Sequence, residues 1–339
     1  MTKESLTPGL NSDTLSDSFG RRHNYLRISL IERCNLRCTY CMPEEGIPLR
    51  DKAQFMSHEE VLQLAGVFVK LGVDKIRLTG GEPLIKKGFE TILNGLAELP
   101  VSLAITTNGI LLDKYWQDLL SSGLKNLNIS LDSLHPKKFE SITRRDQFDR
   151  VWNNIRTAQE LGFNVRLNAV LMRGVNDDEI SDFIELTRDQ NLAIRFIEFM
   201  PFDGNQWDWS KKVSYEEILN HVRMSFGPDE IIPETTEPNG TSRNFRINGF
   251  AGTFGIISSV TNPFCDTCNR IRLTADGKIK NCLFSNSETD LLTPLRHGEN
   301  VEALIRENLL RKFAERGGIS SFNAADFSSK NRAMTAIGG

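Results

Sequence analysis

The chain has 339 residues with 41 basic and 44 acidic side chains, a net charge of −3 and an ordinary globular composition. That length suggests two domains, or one large barrel with an appendage. The slight acidic excess argues against a protein that grips a nucleic-acid backbone through bulk charge, and no apolar run reaches the length of a membrane span.

Residues 1–20, rich in Ser, Thr, Asp and Gly, lack the apolar stretch of a signal peptide and predict a disordered tail on a cytoplasmic protein. From Tyr25 onward, short apolar stretches alternate with amphipathic ones. The candidate strands are 25–31, 75–79, 102–107, 126–131, 165–172 and 193–200. Between the first two, Ser57 followed by Glu60 makes a capping box, with Val61, Leu64, Ala65 and Phe68 on one helical face. Further helices are expected over about 87–99, 111–122, 148–161 and 177–190. Six strand–helix units in succession predict an α/β protein with a parallel sheet, either an incomplete (β/α)6 barrel or a doubly wound sheet. After "EFMP" (198–201) the rhythm changes. A helix from Ser214 to about Met224 precedes Gly- and Pro-rich segments, and "ADG" (275–277) reads as a hairpin turn between "RIRLT" and "KIKNCLF". The expected division is a barrel over 21–225, a smaller α+β domain over 226–325, and a tail over 326–339.

At period two, the strands place Arg27 and Ser29, Arg77 and Thr79, Asn128 and Ser130, and Arg166 and Asn168 on one face. The other face is apolar: Leu26, Ile28, Ile76, Leu78, Leu127, Ile129, Val165 and Leu167. Buried arginines are costly unless paired. They sit at strand ends in water, pair with Glu198 and Asp132, or face an anionic ligand; for the set on one face the ligand is favoured.

The six cysteines fall into two triples, Cys34, Cys38, Cys41 and Cys265, Cys268, Cys282. In a reducing compartment such spacing means metal or redox chemistry rather than disulfides. A structural zinc site wants four ligands, which a distant His such as His58 would have to complete. Three thiolates can instead hold three irons of a four-iron cluster and leave the fourth open to a small molecule.

C-x3-C-x2-C in the loop after the first strand, with Tyr40 before the last Cys, resembles the radical S-adenosylmethionine (SAM) superfamily. "TGGEP" (79–83) matches a segment that in the superfamily contacts the amino group of SAM, and it also reads locally as a turn with Pro83 opening a helix. "FGRRHNYLRIS", "GVNDDE", "RFIEFMP", "CNRIRLTADGKIKNCLF" and the terminal "IGG" extend the likeness. From about Phe19 to Gly339 the chain resembles the GTP 3′,8-cyclase family of molybdenum cofactor biosynthesis. A peptide-modifying radical SAM enzyme, or a zinc-stapled binding module at the C-terminal triple, are the rival readings.

The resemblance implies an incomplete (β/α)6 radical SAM barrel whose C-terminal domain carries a second cluster. It implies two [4Fe-4S] clusters, SAM at the open iron of the first and GTP at the second. Reductive cleavage of SAM would yield a 5′-deoxyadenosyl radical that takes a hydrogen from C3′ of GTP, and C3′ would then add to C8. Tyr40, Gly81, Ser130 and Met200 would contact SAM. Arg27, Arg77, Thr106, Arg166, Arg195, Arg270, Ile271 and Arg272 would contact GTP. The family often carries Lys where Arg166 stands. Arg27, Arg270, Arg272, Gly338 and Gly339 would serve catalysis, although composition alone makes a terminal Gly-Gly frayed and dispensable. The implied partners are a low-potential electron donor such as flavodoxin or ferredoxin, and cyclic pyranopterin monophosphate synthase as the next enzyme. The protein would be a monomer or homodimer, with no nucleic acid and no membrane.

Overall fold

The computed structural model describes residues 14–48, 50–205, 207–235, 237–319, 322 and 331–338. Its centre is six strands: β1 (Tyr25–Ser29), β2 (Lys75–Thr79), β3 (Ser102–Thr107), β4 (Asn126–Ser130), β5 (Asn164–Leu171) and β6 (Ala193–Glu198). Each pairs in parallel with the next in chain order. The crossovers carry α1 (His58–Lys70), α2 (Phe89–Ala97), α3 (Trp116–Ser121), α4 (Pro136–Thr143), α5 (Phe148–Glu160) and α6 (Ile180–Glu185). Among these α4 was not foreseen. Its eight residues bury only Phe139, Ile142 and Thr143, too few apolar positions to raise a helical period.

The expected capping box of α1 is formed. Ser57 Oγ accepts from Glu60 N at 3.2 Å, and Glu60 Oε2 accepts from Ser57 N at 2.7 Å. Val61, Leu64, Ala65 and Phe68 are buried, as the pattern requires. Each large apolar side chain so buried contributes about 1.5–3 kcal/mol. They meet the apolar face of the sheet, where Leu26, Ile28, Ile76, Leu78, Leu127, Ile129 and Leu167 are buried in the same core.

The C-terminal domain extends this sheet at both edges. After α7 (Tyr215–Phe226) come β7 (Ile231–Pro233), β8 (Arg243–Ile247) and β9 (Thr253–Ile257), and β9 pairs in parallel with β6. The chain then crosses to the opposite edge. There β10 (Arg270–Leu273) pairs in parallel with β1 and antiparallel with β11 (Lys278–Lys280), which pairs with β12 (Thr289–Asp290). The result is one open sheet of twelve strands with β1–β6 at its middle. The expected turn at Ala275–Gly277 joins β10 to β11; Gly277 has φ +69° and donates from N to Thr274 O at 2.9 Å. Two short helices, α8 (Leu292–Arg296) and α9 (Glu302–Leu310), follow, and the tail ends in a single helical turn, α10 (Met334–Ile337).

One expectation needs correction. Residues 14–20 are packed rather than disordered: Leu15 is buried and its N–H donates to Leu71 O at 3.2 Å. Asp17 accepts from Arg21 Nε at 2.6 Å and lies 3.0 Å from His23 Nε2. One apolar anchor and one ion pair hold the segment, and neither leaves a periodic signal in a polar stretch. Residues 1–13 lie outside the described residues.

Candidate active site

The polar strand face lines a cavity of about 670 Å³ that runs from the amino ends of the central strands, at Asn24, Asp74 and Lys75, to the loops beyond their carboxyl ends, where loops of such sheets converge. All six cysteines line it, and all are free thiols.

The first triple lies in the loop after β1. Arg37 braces that loop, donating from Nη1 to Cys34 O at 2.6 Å and Leu36 O at 2.8 Å. The end of α4 holds it from below: Arg37 N donates to Thr143 O at 3.0 Å and Thr39 N to Ile142 O at 2.9 Å. The Cys34 sulfur accepts from Leu36 N at 3.4 Å and Asn108 Nδ2 at 3.6 Å. Burial, reinforced by Glu82, pushes the Cys34 thiol up to about 11, and burial with Cys34 pushes Cys41 up to about 12. Burial and Asp132 also raise Cys38 well above the ordinary thiol range. These thiols would be costly to ionise without a cationic partner, and cluster iron, which deprotonates its thiols outright, supplies one. The open, three-cysteine arrangement therefore fits a four-iron cluster. Among the described residues no three His, Cys, Asp or Glu side chains are arranged to hold a single metal ion. His58 lies elsewhere, its Nε2 2.8 Å from Lys87 O.

The "TGGEP" loop packs against this one. Gly81 N donates to Ile31 O at 2.7 Å, and a Cβ on Gly81 would stand 2.3 Å from Arg33 O, so only glycine fits. Glu82 caps the neighbouring loop, accepting from Thr107 Oγ1 and Asn108 N at 2.7 Å each. Pro83 opens the short 3₁₀ turn expected of it. Gly81, Ser130, Met200 and Tyr40 all line the cavity, and Met200 packs against the small cluster that also holds Cys282 of the second triple. Tyr40 donates its hydroxyl to Asp132 Oδ2 at 2.8 Å.

Register brings the arginines together. Arg27 stands beside Arg77 on β2 and beside Arg272 on β10, and Asn168 stands beside Arg195. Arg27, Arg77, Thr106, Arg166, Arg195, Arg270 and Arg272 all line the cavity. Arg77 donates from Nη1 to Ile105 O at 2.8 Å and Thr106 Oγ1 at 3.3 Å, and Arg166 donates to Asn126 Oδ1 at 3.0 Å. Glu198 and Asp132 do not neutralise them. Glu198 accepts from Val260 N at 2.9 Å and Thr261 N at 3.0 Å, and Asp132 from Val170 N at 2.9 Å. Burial, then Arg166 and Arg77, pushes Arg195 down to about 9, and burial with Arg270 pushes Arg272 down to about 10. Cations crowded this way destabilise one another until an anion enters. Ile271 does not join them: its side chain lies on the apolar face, in the main core.

The second triple sits at the other side of the cavity. Lys312 donates from Nζ to Cys268 Sγ at 3.5 Å, and Arg316 N to Cys265 Sγ at 3.4 Å. Burial alone would raise the Cys268 thiol, but Lys312 and Arg270 bring it down to about 7. From the tail, Gly338 O accepts from Arg272 Nη1. Gly338 is pressed against the end of β2, where a Cβ would meet Thr79 Oγ1 at 2.5 Å. Gly339 lies outside the described residues.

Sequence reading missed Tyr25, Asn108 and Lys312, and it weighed Asp132 only as an arginine partner where the structure sets it against Tyr40 and Cys38. Tyr25 accepts from Arg77 Nε, and although burial would raise its phenol, Arg77 and Arg27 bring it down to about 7. Period two from Arg27 points to it, one step earlier on the same face. The others come from loops and a helix end, where no period operates.

A cavity lined by two cysteine triples and a set of arginines, on the polar face of a parallel α/β sheet, is the setting of a radical SAM protein. The radical SAM superfamily profile matches residues 28–187, and the profile described as Molybdenum Cofactor Synthesis C matches residues 192–317. The chain is 51% identical over 334 residues to the mitochondrial GTP 3′,8-cyclase of Arabidopsis thaliana, covering 97% of this chain and 84% of that one. It is 44% identical to the GTP 3′,8-cyclase of Peptoclostridium acidaminophilum, covering 89% and 93%. It is 50% identical to molybdenum cofactor biosynthesis protein 1 of Bos taurus, covering 95% of this chain but 51% of that protein, about half its length. In fold it is similar to Streptococcus suis SuiB bound to S-adenosylmethionine, with TM-score 0.59 at 14% identity, covering 93% and 72%. The chain belongs to the GTP 3′,8-cyclase family of molybdenum cofactor biosynthesis. No helix among the described residues is long and apolar enough to cross a membrane.

Proposed function

We propose that this protein is a radical SAM lyase that converts GTP to 3′,8-cyclo-7,8-dihydro-GTP, the first step of molybdenum cofactor biosynthesis, with SAM and two [4Fe-4S] clusters. The observation that carries the reading is one cavity lined by both cysteine triples and by Arg77, Arg166, Arg195, Arg270 and Arg272. Cys34, Cys38 and Cys41 would hold the first cluster, and Cys265, Cys268 and Cys282 the second. With both bound, the first cluster and SAM would supply a 5′-deoxyadenosyl radical to take the C3′ hydrogen of GTP; C3′ would then bond to C8, and a second electron with a proton would complete the GTP isomer.

The chain's own residues do the rest. Gly81 lets a SAM amino group approach the backbone of the first loop. Tyr40, Ser130 and Met200 flank the same space. Arg77, Arg166 and Arg195 neutralise the triphosphate. Arg27, Arg270 and Arg272 hold the nucleotide between the two triples, with Gly338 at Arg272, and Gly338 and Gly339 serve the cyclisation. An enclosed site keeps a reactive radical from solvent. Six free thiols suit the reducing cytoplasm. A low-potential donor such as flavodoxin or ferredoxin would supply the electron, and cyclic pyranopterin monophosphate synthase would take the product.

The test is anaerobic incubation of the reconstituted protein with SAM, reductant and GTP. The expected products are 5′-deoxyadenosine and an isomer of GTP in matched amounts. 5′-Deoxyadenosine without a GTP isomer would remove the cyclase reading.

A further inference from the structure

The C-terminal tail lines the cavity at Met334 and Thr335 and carries Gly338 to Arg272, yet α10 is a single turn that cannot hold its own position. Its neighbours hold it: Asn331 accepts from Lys280 Nζ and donates to Leu283 O at 3.1 Å each, and two further contacts anchor its ends. Ile337 is buried in a small separate cluster with Phe202, Val260, Phe284 and Phe322. At the tail's entry, Arg332 meets three carboxylates. Its Nη1 donates to Asp276 Oδ1 at 2.9 Å and Glu288 Oε2 at 3.2 Å. Its Nη2 donates to Asp276 Oδ2 at 2.9 Å and Glu32 Oε1 at 3.0 Å.

Those carboxylates come from the parts that build the site. Glu32 precedes Cys34 by two residues, Asp276 sits in the β10–β11 turn that carries Arg270 and Arg272, and Glu288 follows Cys282. Glu32 and Asp276 are buried. Without Arg332 they would share Arg50, which donates to Glu32 at 2.9 Å and Asp276 at 3.2 Å, with Lys278 3.9 Å from Asp276. Glu288 would keep Lys280, at 3.7 Å. The site thus holds a preformed acidic socket that a guanidinium fork, bidentate to Asp276, fills. Lysine is a point charge and cannot make all four bonds.

We propose that Arg332 is a positioning residue for the reaction: its ion pairs dock the C-terminal tail against both halves of the site, and only then does Gly338 stand at Arg272. This rests on the proposed role of the terminal glycines. It also couples the tail to the architecture of both triples, since a shift of either loop moves the socket.

The test uses the full, cluster-loaded enzyme with R332Q and R332K, beside a chain ending at Ile337. Hydrogen exchange of residues 334–338 is read by mass spectrometry, with kcat and KM for GTP and with 5′-deoxyadenosine formation. In R332Q, loss of charge-assisted bonds should speed tail exchange and lower kcat, each about tenfold or more. R332K should fall between R332Q and the parent, while iron content and 5′-deoxyadenosine formation persist. Unchanged tail protection in R332Q, or lost protection with unchanged kcat, overturns the assignment. If R332Q does not fold, R332K carries the same comparison against the parent. Normal cyclisation by the chain ending at Ile337 would instead sink the tail reading itself. Lost turnover there, with R332Q intact in both readouts, sinks only the role of Arg332.

Discussion

The two cysteine triples share a cavity but not an electrostatic setting. Around the first, acids dominate: Glu82 and Asp132 push Cys34 and Cys38 up beyond what burial does, Arg37 offsets this only slightly at Cys34, and the hydrogen bonds found to the Cys34 sulfur among the described residues come from Leu36 N and Asn108 Nδ2. Around the second stand cations, with Lys312 on the Cys268 sulfur and Arg270 close enough to bring that thiol down. The acidic side suits a bound cation, such as a sulfonium with its ammonium group. The cationic side, continuous with the arginine floor, suits a triphosphate. Two similar spacings in the chain thus become two different half-sites, because the neighbours differ rather than the ligands.

The largest effect should come from breaking this pairing outright. Replacing Cys34, Cys38 and Cys41 together by Ala is expected to leave about half the iron and no 5′-deoxyadenosine. Replacing Cys265, Cys268 and Cys282 should leave a similar share of iron, spare some SAM cleavage and abolish the GTP isomer. Iron analysis and product chromatography check both. SAM cleavage by the first triple mutant would reverse the assignment of the two halves.

A smaller effect should follow from weakening only the cationic side. Arg77→Ala, Arg166→Ala and Arg195→Ala each remove a charge-assisted contact of about 1.5–3 kcal/mol, weakening GTP about ten- to a hundredfold. Guanosine, lacking phosphates, should lose little. Equal losses for the two ligands, measured by equilibrium binding, would show that these arginines do not read phosphate.

The finest contrast is in the metal-free protein. The Cys268 thiol, lowered to about 7, is mostly thiolate above that pH, whereas Cys34 stays protonated until about 11. At pH 8, iodoacetamide should therefore modify Cys268 about tenfold or more faster than Cys34, with the Cys268 rate falling as pH drops through 7. Lys312→Met should slow Cys268 and leave Cys34 unchanged. Comparable rates at both positions, by peptide mass spectrometry, would erase the electrostatic difference.

The central strands were legible almost to the residue. Apolar and polar side chains alternate strictly along them, so Leu26 and Ile28 fall into the core and Arg27 into the cavity whatever the neighbours do. The capping box of α1 and the turn at Gly277 were legible because each is a local bargain between a side chain and its own backbone. The cysteines were legible by spacing alone. What the sequence by itself determined, then, is everything with a short period or a short reach.

Only the tertiary structure decided which strands became neighbours at the sheet's edges. Pairing β10 with β1 sets Arg272 beside Arg27, across more than two hundred residues of chain, and no local pattern encodes that register. The same holds for the packed segment at Leu15 and for Lys312 and Arg332. Their partners lie far off in sequence. A charge acquires its meaning from whatever stands within a few ångströms of it, and that distance exists only once the chain has folded.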